Sequence, residues 1–339
     1  MASDAQFVPF ARIDRGGIPE SHHLGVAVLA DLAGKVHARW GDPEVVTFPR
    51  SALKPFQAVD LIESGAFDAF DLAEEELALA CASHSGEPFH VERVRAWLGR
   101  LGCDETCLVC GAVLPGRLEA MQAHLRAGLP ASPVYYNCSG KHSGFLTNAR
   151  HLGLPVAGYD APDHELQQRY RGVFSRFLGR DAGGLSWSRD DCVLPAPAMT
   201  MREMAAALAR FAEEAAAGGE TAAPSRILGA MANQPLLLSG TGGLPEILGE
   251  QLKGRIVAKT GAEGYLAVFL PAERLGLTLK VADGNMRARD CALVAILEQI
   301  GLIDGTTAAG LMASLAPPLR DSRGDPVGSV VAVLPPAER

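Results

Sequence analysis

The chain has 339 residues, of which 48% are hydrophobic and 21% charged, and its formal net charge is -8 at neutral pH. This composition is typical of a globular protein with a sizeable core, and it excludes a disordered or fibrous chain. The acidic balance argues against a nucleic-acid partner, because that affinity depends on clustered basic residues. We find no apolar run of membrane-span length and no export signal, so we expect a cytoplasmic protein without a membrane partner.

The sequence predicts, in chain order, a strand at residues 25–29, helices at 55–64 and 91–101, a helix at 201–217, strands at 255–259, 265–270 and 277–282, a helix at 287–300 and a strand at 329–334. Thr200 and Glu203 form a capping box that opens the helix at 201. The Ala/Gly-rich residues 215–224 suggest a surface loop. The three strands between 255 and 282 are separated by glycine-containing turns and predict an antiparallel meander.

These elements predict an α+β fold in which an antiparallel sheet is flanked by helices. We find no repeat and no linker of domain-separating length, so we expect a single domain over residues 1–339. In that domain an α-helical central part is inserted between N-terminal and C-terminal segments that form the sheet.

The first candidate for chemistry is Ser51 with Lys54, directly before Pro55. Pro55 places both residues at the entry of the predicted helix, and a spacing of three puts their side chains on one face. A buried, neutral lysine can there take the proton of a serine that attacks an amide. Taken alone this is a weak signal, because serine commonly caps helices and lysine is common on surfaces.

The second candidate is Lys259-Thr260-Gly261 at the end of a predicted strand. A strand-end Lys-Thr-Gly accompanies Ser-x-x-Lys, in this order, in penicillin-interacting serine enzymes. Together the two motifs indicate a Ser-Lys acyl-transfer enzyme. Ser83, after an apolar run, could pair with Lys259 as a second dyad, although a turn rich in capping residues also explains its segment.

Two cysteine groups suggest metal chemistry. Cys138 and Cys192, with Lys141 and Asp190 nearby in sequence, could hold Zn²⁺, although lysine is an uncommon ligand. Two buried free cysteines are the alternative, which the residues alone favour. A second group, Cys103, Cys107 and Cys110, has iron-sulfur spacing, but Val109 stands where radical enzymes have an aromatic residue and no βα-barrel series follows. With seven cysteines in all, we expect mostly reduced thiols.

The assembled segments resemble the L-asparaginase II family of the thermolabile rhizobial type over almost the whole chain. The blocks that carry the resemblance are Asp14-Arg15-Gly16-Gly17, Glu20-Ser21-His22, Arg50-Ser51-Ala52 with Lys54-Pro55 and Gln57-Ala58, Cys81-Ala82-Ser83-His84-Ser85, Asn137-Cys138-Ser139-Gly140-Lys141-His142, Tyr159 with Pro162-Asp163-His164, Asp190 with Cys192, Leu194-Pro195 and Pro197, Lys259-Thr260-Gly261-Ala262-Glu263-Gly264, and Asp283-Gly284-Asn285. The chain departs from the family pattern at residues 110–113 and 239–244, which puts a polar contact and the substrate range in doubt.

The resemblance implies a fold similar to serine β-lactamases and serine-dependent glutaminases, a homodimer, and hydrolysis of L-asparagine to L-aspartate and ammonia. It also implies the sites. The implied catalytic pairs are Ser51 with Lys54 and Ser83 with Lys259, and the implied zinc ligands are Cys138, Lys141 and Cys192. We assign substrate contacts to five residues of the matching blocks: Arg50, Asn137, His142, Asp190 and Gly261.

We expect Ser51 to attack the side-chain amide after Lys54 takes its proton, with Ser83 and Lys259 relaying protons. Which of the two serines, Ser51 or Ser83, is the nucleophile stays open. A glutaminase or another serine-dependent amidase is the nearest alternative, because one methylene changes discrimination by only about 1 to 3 kcal/mol. A penicillin-interacting enzyme should carry an export signal. An inactive amino-acid-binding or metal-binding module of the same fold would not need both serines and both lysines.

Overall fold

The structure is a computed structural model that describes residues 6–339. The helices of this range are α1 (Lys54–Glu63), α2 (Ala66–Ala69), α3 (Glu74–Cys81), α4 (Pro88–Arg100), α5 (Leu118–Arg126), α6 (Ser139–Leu152), α7 (Glu165–Leu178), α8 (Met201–Ala217), α9 (Ala223–Asn233), α10 (Pro235–Ser239), α11 (Leu244–Leu252), α12 (Met286–Gln299) and α13 (Gly305–Leu315). The strands are β1 (Val8–Arg15), β2 (Ile18–Ala30), β3 (Val36–Trp40), β4 (Val46–Thr47), β5 (Ser186–Arg189), β6 (Pro195–Thr200), β7 (Val257–Thr260), β8 (Tyr265–Leu270), β9 (Leu275–Val281), β10 (Leu319–Arg320) and β11 (Pro326–Ala332).

The chain divides into two compact units. Unit 1 comprises Met1–Ala52, Met199–Glu213 and Ile247–Arg339, and unit 2 comprises Leu53–Ala198 and Glu214–Glu246. Unit 1 therefore contains the sheet-forming segments from both ends of the chain, and unit 2 contains most of the helices. The single domain over residues 1–339 stays a prediction.

Unit 1 is built on an antiparallel sheet in the order β10-β11-β1-β2-β9-β8-β7. The first half of β2 pairs with β1, and its second half lies between β9 and β3. The consecutive antiparallel strands β7, β8 and β9 confirm the predicted meander. The predicted α+β class, an antiparallel sheet flanked by helices, is likewise confirmed.

Helices cover the sheet of unit 1 closely. Thr278 on β9 donates a hydrogen bond from Oγ1 to the carbonyl oxygen of Met201 at 3.1 Å, and a side chain at Gly276 would collide with the carbonyl oxygen of Ala205. These two contacts hold α8 against β9, while α12 packs against β1, β9 and β11. Residues on β8 and β9 are consequently buried on both faces, which explains why β8 is apolar throughout and β9 is apolar at most positions.

The start of α8 matches its prediction. The Glu203 amide donates to Thr200 Oγ1 at 3.1 Å, and the Thr200 amide donates to the Glu203 carboxylate at 3.0 Å, which is the reciprocal bonding of a capping box. The predicted helices at 55–64, 91–101 and 287–300 are confirmed with small shifts of their ends. No helix in the described range 6–339 is long and apolar enough to cross a membrane.

Unit 2 is organised around α1, which contacts α3, α6, α7 and α9. The ring of Phe56 packs edge-on against Phe174 and Phe177, with centroids 5.4 Å away in each case. The Asp60 carboxylate accepts two hydrogen bonds from the guanidinium of Arg169, at 2.7 and 2.9 Å. These contacts fix α1, and with it the position of its first residue, Lys54.

The sequence patterns did not predict α6, which packs against α3 and α1. Its first turns contain Gly140, Ser143 and Gly144, residues with low helix propensity. A side chain at Gly140 would collide with the carbonyl oxygen of Leu79 in α3. The absence of a side chain therefore allows the two helices to approach closely, and this packing outweighs local propensity.

We predict that Gly140→Ala lowers the free energy of unfolding by about 1 to 3 kcal/mol, because the added methyl group forces α6 away from α3. The matched control is Gly172→Ala in α7, where a methyl group meets nothing within 4 Å. That variant should gain about 0.5 to 1 kcal/mol, because alanine loses less backbone entropy in a helix than glycine. Urea unfolding of the two variants beside the parent measures both changes, and equal stability of all three would refute the packing argument.

Candidate active site

A short 3₁₀ turn, Arg50–Leu53, passes directly into α1, and the boundary between unit 1 and unit 2 falls within it, after Ala52. Lys54 is the first residue of α1 and Pro55 the second, so Ser51 and Lys54 lie at the helix entry as predicted. Arg50 has a φ of +51°, a left-handed conformation that is uncommon outside glycine. Such backbone strain is found more often at functional sites than elsewhere.

The side chain of Lys54 is fully buried, at 0% exposure. Its Nζ donates hydrogen bonds to the carbonyl oxygens of Ala82 and Asn137, the latter at 3.4 Å, and it lies 3.0 Å from Ser83 Oγ. A neutral amine has two hydrogens and one lone pair. The Cys138 side chain is a further hydrogen-bond partner of this amine. In its neutral form the amine can accept the hydroxyl hydrogen of Ser83 on its lone pair.

The protonation state of Lys54 follows from its surroundings. Burial lowers the pKa of Lys54, and the nearby positive charge of Lys141 lowers it further, while Cys138 and Cys192 act in the opposite direction. The net effect favours the neutral amine, which is the form required of a general base.

The segment that carries Ser83 is held by hydrogen bonds on both sides. The Ser83 amide donates to the carbonyl oxygen of Leu238 at 2.8 Å. The Gly86 amide donates to His84 Nδ1 at 3.1 Å, so the ring hydrogen of His84 is on Nε2 and is donated to Ser139 Oγ at 2.8 Å. Burial lowers the pKa of His84 well below its ordinary value, which keeps the ring neutral in this role.

A carboxylate that the sequence patterns missed, Glu87, ties the Ser83 segment to residues 240–241. It accepts hydrogen bonds from Ser85 Oγ at 2.6 Å, from the Thr241 amide at 3.0 Å and from Thr241 Oγ1 at 2.8 Å. Gly240 has a φ of +97°, and a side chain there would collide with Ser85 Oγ. The region that departs from the family pattern thus contacts the Ser83 segment directly.

A second polar cluster consists of Cys138, Lys141 and Cys192, all buried. Cys138 caps the start of α6 and Lys141 lies in its first turn, while Cys192 belongs to a turn formed by residues 190–194. Lys141 Nζ donates to Cys192 Sγ at 2.9 Å, and the thiols of Cys138 and Cys192 hydrogen-bond with each other. The structure therefore brings together the three residues predicted as zinc ligands.

In this cluster neighbouring groups outweigh burial, whereas at Lys54 burial outweighs the neighbouring groups. The hydrogen bond from Cys192 and the positive charge of Lys141 lower the pKa of Cys138 despite its burial. Burial acts to lower the pKa of Lys141, but the negative charge on the cysteines outweighs burial and raises it. These interactions favour the thiolate of Cys138 and the ammonium form of Lys141, whereas the pKa of Lys54 is shifted towards the neutral amine.

The turn at residues 190–194 carries backbone strain next to Cys192. The Asp190 amide donates to the Leu194 carbonyl at 2.9 Å, and the Val193 amide donates to the Asp190 carbonyl at 2.8 Å. Val193 has a φ of +73°, which costs a β-branched residue about 1 to 3 kcal/mol. The strained turn directs Cys192 into the interior of unit 2, where it is 1% exposed.

His142, next to Lys141, belongs to a chain of hydrogen bonds. The Val109 amide donates to the hydroxyl of Tyr159 at 3.3 Å, and that hydroxyl lies 2.6 Å from His142 Nδ1. Since the hydroxyl accepts from Val109, its own hydrogen is free for Nδ1. Burial lowers the pKa of His142 well below its ordinary value, so the ring is the neutral acceptor that this chain needs.

Unit 1 contains the Lys-Thr-Gly motif at the end of β7. Lys259 is buried, and its Nζ donates to the carbonyl oxygen of Thr260 at 2.7 Å. A side chain at Gly261 would place its Cβ 2.5 Å from the carbonyl oxygen of Pro49. Glycine therefore lets the end of β7 lie directly against the backbone that leads into Ser51.

The predicted pair of Ser83 and Lys259 joins residues of different units and stays a prediction, as does the pair of Ser51 and Lys54. Among the predicted substrate contacts, His142 is fully buried, Arg50, Asp190 and Gly261 are half-buried, and Asn137 is exposed. Their contacts with substrate stay predictions.

The predicted zinc site has three donor atoms, the sulfurs of Cys138 and Cys192 and the amine of Lys141. In the described part of the chain, no group of three or more histidine, cysteine, aspartate and glutamate side chains is placed to hold a metal ion. Two cysteine sulfurs in contact and an adjacent amine nevertheless form a donor set that suits zinc, provided that Lys141 gives up its proton. The residues fit the ion, and its presence stays a prediction.

The model of the L-asparaginase II family matches residues 11–332. The chain belongs to the L-asparaginase II family. The resemblance drawn from the sequence blocks is therefore confirmed. Comparison with the curated proteins gives no match.

Among solved structures, this asparaginase II family member is similar to a protein called Mglu in its native form, with 17% identity and a TM-score of 0.45, over 83% of this chain and 65% of that chain. For Mglu in its glutamate form the identity is 18%, the TM-score 0.45 and the coverage 83% and 62%. A β-lactamase from Mycobacterium bovis, Mb2281c, shows 15% identity and a TM-score of 0.38, over 86% of this chain and 94% of that chain. The chain thus spans less than two thirds of Mglu.

We predict that Glu87→Gln makes the protein less stable at neutral pH and less sensitive to acid. Burial raises the pKa of Glu87, but hydrogen bonds from Ser85 and Thr241 outweigh burial and lower it below the ordinary 4.5. Its stabilising effect is therefore complete above about pH 4.5 and is lost as the pH falls through the folded value. At pH 7 the variant should lose about 1 to 3 kcal/mol.

Unfolding of Glu87→Gln and the parent is measured across pH 3 to 7, where the gap between the two should narrow towards acid. Glu92→Gln on the same stretch of chain serves as the control, because Glu92 is exposed on α4. If the difference in free energy of unfolding between Glu87→Gln and the parent stays constant with pH, the Glu87 carboxylate is not the group that titrates.

Proposed function

We propose that this chain is an amidohydrolase that converts L-asparagine and water to L-aspartate and ammonia by Ser-Lys acyl transfer. The observation that carries the proposal is Lys54, fully buried, with a lowered pKa and with Nζ 3.0 Å from a serine hydroxyl. Within residues 6–339 Lys54 has no carboxylate partner, and a buried lysine whose pKa is lowered by burial is a candidate functional group. Membership of the asparaginase II family supplies the amide substrate.

In the proposed reaction, neutral Lys54 takes the proton of Ser51, and Ser51 Oγ attacks the side-chain amide carbon. Lys54 then supplies the proton with which ammonia leaves, and water hydrolyses the acyl-enzyme to release L-aspartate. Ser83 and Lys259 relay protons in this scheme. The contact of Ser83 with Lys54 Nζ supports the relay, because a hydroxyl on the lone pair can pass a proton to and from the amine.

The same contact makes Ser83 the competing nucleophile. Its hydroxyl is the one that Lys54 holds at 3.0 Å, whereas the proposal for Ser51 depends on its place one turn before Lys54. Labelling with an electrophilic asparagine analogue separates the two. We expect the label on Ser51, and a label on Ser83 alone would exchange the two roles.

We also propose that Cys138, Lys141 and Cys192 hold a zinc ion. Their contact, burial and mixed charge support this assignment, because zinc replaces the positive charge that Lys141 supplies to the thiolate. When bound, zinc would act as a Lewis acid towards an oxygen ligand. The chain's own contribution is to hold the three donors together on α6 and on the strained turn at residues 190–194.

A glutaminase is the second candidate function. The surroundings of Lys54 do not distinguish the side-chain amide of L-asparagine from that of L-glutamine, which is one methylene longer. An inactive binding module is the third. The lowered pKa of Lys54 favours an enzyme over that module, since amino-acid binding does not require a neutral lysine. We further propose a cytoplasmic homodimer, for which light scattering of the purified protein is the direct test.

We predict that Lys54→Met lowers kcat for L-asparagine by about 10² to 10⁴, because the general base is removed. Ser51→Ala should lose turnover at least as completely. Ammonia release from L-asparagine and from L-glutamine, measured side by side, checks both variants. Lys35→Met is the matched control, because Lys35 is exposed in the loop before β3 and its loss should leave turnover unchanged.

The ratio of the two substrates in the parent protein decides between asparaginase and glutaminase. Absence of ammonia from both amides would overturn the enzyme proposal in favour of the binding module. Full turnover by Lys54→Met would contradict the role of Lys54 while leaving the substrate assignment intact.

We predict that the parent protein retains zinc through dialysis and that Cys192→Ala loses it, because one of two thiolate donors is gone. Cys291→Ala is the control, because Cys291 is buried like Cys192 but lies in α12 of unit 1, whereas the cluster belongs to unit 2. Metal analysis of the three proteins gives the result without reference to activity. Equal zinc in Cys192→Ala and Cys291→Ala, or none in the parent after loading, would refute the site.

A further inference from the structure

Cys103 and Cys107 form a thiol pair in the segment that follows α4, outside the residues used by the proposed function. The two thiols are in contact, and burial and this contact raise the pKa of Cys103, while a guanidinium nitrogen of Arg150, 3.6 Å from Cys103 Sγ, acts to lower it. A short 3₁₀ turn, Glu105–Cys107, separates them. The contact is therefore built into the local backbone.

The accessibility of this pair distinguishes it from the other thiols. Among the cysteines in residues 6–339, Cys103 and Cys107 are half-buried, whereas Cys81, Cys110, Cys138, Cys192 and Cys291 are buried. Gly102, Asp104 and Thr106, between and beside the pair, are exposed. Both cysteines of the pair are thus partly exposed, in a segment whose neighbouring residues face solvent.

The turn between the two cysteines is well defined. The Asp104 carboxylate accepts from the Thr106 amide at 2.9 Å, and the Cys107 amide donates to the Asp104 carbonyl at 3.1 Å. The contact between the two thiols shows that both side chains lie on the same side of this turn, as disulfide formation requires. The iron-sulfur interpretation would need Cys110 as well, but Cys110 is buried, and its thiol contacts the Pro133 carbonyl at 3.7 Å.

We propose that Cys103 and Cys107 are a redox-active dithiol that closes reversibly to a disulfide on reaction with hydrogen peroxide. One of the two thiols, after losing its proton, attacks peroxide, which gives a sulfenic acid and releases one water equivalent. The second thiol then displaces the hydroxyl as water and forms the sulfur-sulfur bond, so that two thiols and one peroxide give one disulfide and two waters. An external dithiol reverses the step by thiol-disulfide exchange.

The chain also provides a route from this dithiol to the candidate active site. Two residues after Cys107, the Val109 amide donates to Tyr159, whose hydroxyl meets His142 beside Lys141. A disulfide that shifts residues 103–109 changes the Val109 contact, and through it the position of His142 on α6. This second part of the inference rests on the proposed function, whereas formation of the disulfide does not.

Peptide mapping of the intact chain tests the disulfide. Trypsin leaves residues 101–117 as one peptide that contains Cys103, Cys107 and Cys110. The purified protein is treated with hydrogen peroxide, unfolded, alkylated and digested without reduction. We expect the reduced protein to carry three alkyl groups on this peptide, and the oxidised protein to carry one, on Cys110, with dithiothreitol restoring all three.

Three alkyl groups after peroxide, or a single group found on Cys103 or Cys107, would overturn the assignment. The variants Cys103→Ser and Cys107→Ser should form no bond within the peptide. Cys291→Ala is the matched control and should form it as the parent does, because Cys291 lies in α12, outside the peptide. Circular dichroism of each variant confirms folding, and mapping of the parent needs no variant.

Ammonia release from L-asparagine tests the link to the site. The oxidised parent should change in kcat/KM by about two- to thirtyfold and recover with dithiothreitol. Cys103→Ser should keep its turnover under peroxide. Unchanged turnover with the disulfide formed would overturn the link and leave the dithiol intact, while a parent without turnover before oxidation would overturn the proposed function and not the disulfide.

Discussion

The candidate site depends on the burial of one amine at the start of α1. An ammonium group fully removed from water and without a carboxylate partner is costly, so Lys54 loses its proton more readily than an exposed lysine does. Two backbone carbonyls, from Ala82 and Asn137, and the Cys138 side chain surround this amine, and Ser83 Oγ lies 3.0 Å from its Nζ. Loss of the proton and orientation of the hydroxyl therefore have the same physical cause.

The second buried lysine shows how strongly the surroundings decide the outcome. Lys141 has the same side chain and a similar burial, but it contacts a sulfur at 2.9 Å and lies beside the thiolate of Cys138. Negative charge raises the pKa of Lys141. On Lys54 the cluster acts in both directions, because Cys138 and Cys192 raise its pKa while the positive charge of Lys141 lowers it.

Sequence reasoning succeeded where a residue's role is local. The capping box placed the start of α8, the turns placed the meander, and Pro55 placed Lys54 at a helix entry. It failed where distant contacts decide. Helix α6 is rich in small polar residues and is stabilised by packing, and Glu87 gains its role from Thr241, which is 154 residues away along the chain. The charge states of Lys54 and Lys141 likewise depend on neighbours that no spacing reveals.

Several features of the structure that the sequence did not predict depend on glycine. Gly140, Gly240 and Gly261 each lie where a side chain would meet another segment of the site: the Leu79 carbonyl, Ser85 Oγ and the Pro49 carbonyl respectively. These contacts join residues that are far apart in sequence. The sequence alone therefore shows that a glycine is present but not which segment it contacts. The segments that carry Lys141, Ser83 and Ser51 can lie this close to their neighbours because no Cβ intervenes. The geometry of the proposed chemistry therefore depends on positions that themselves have no functional group.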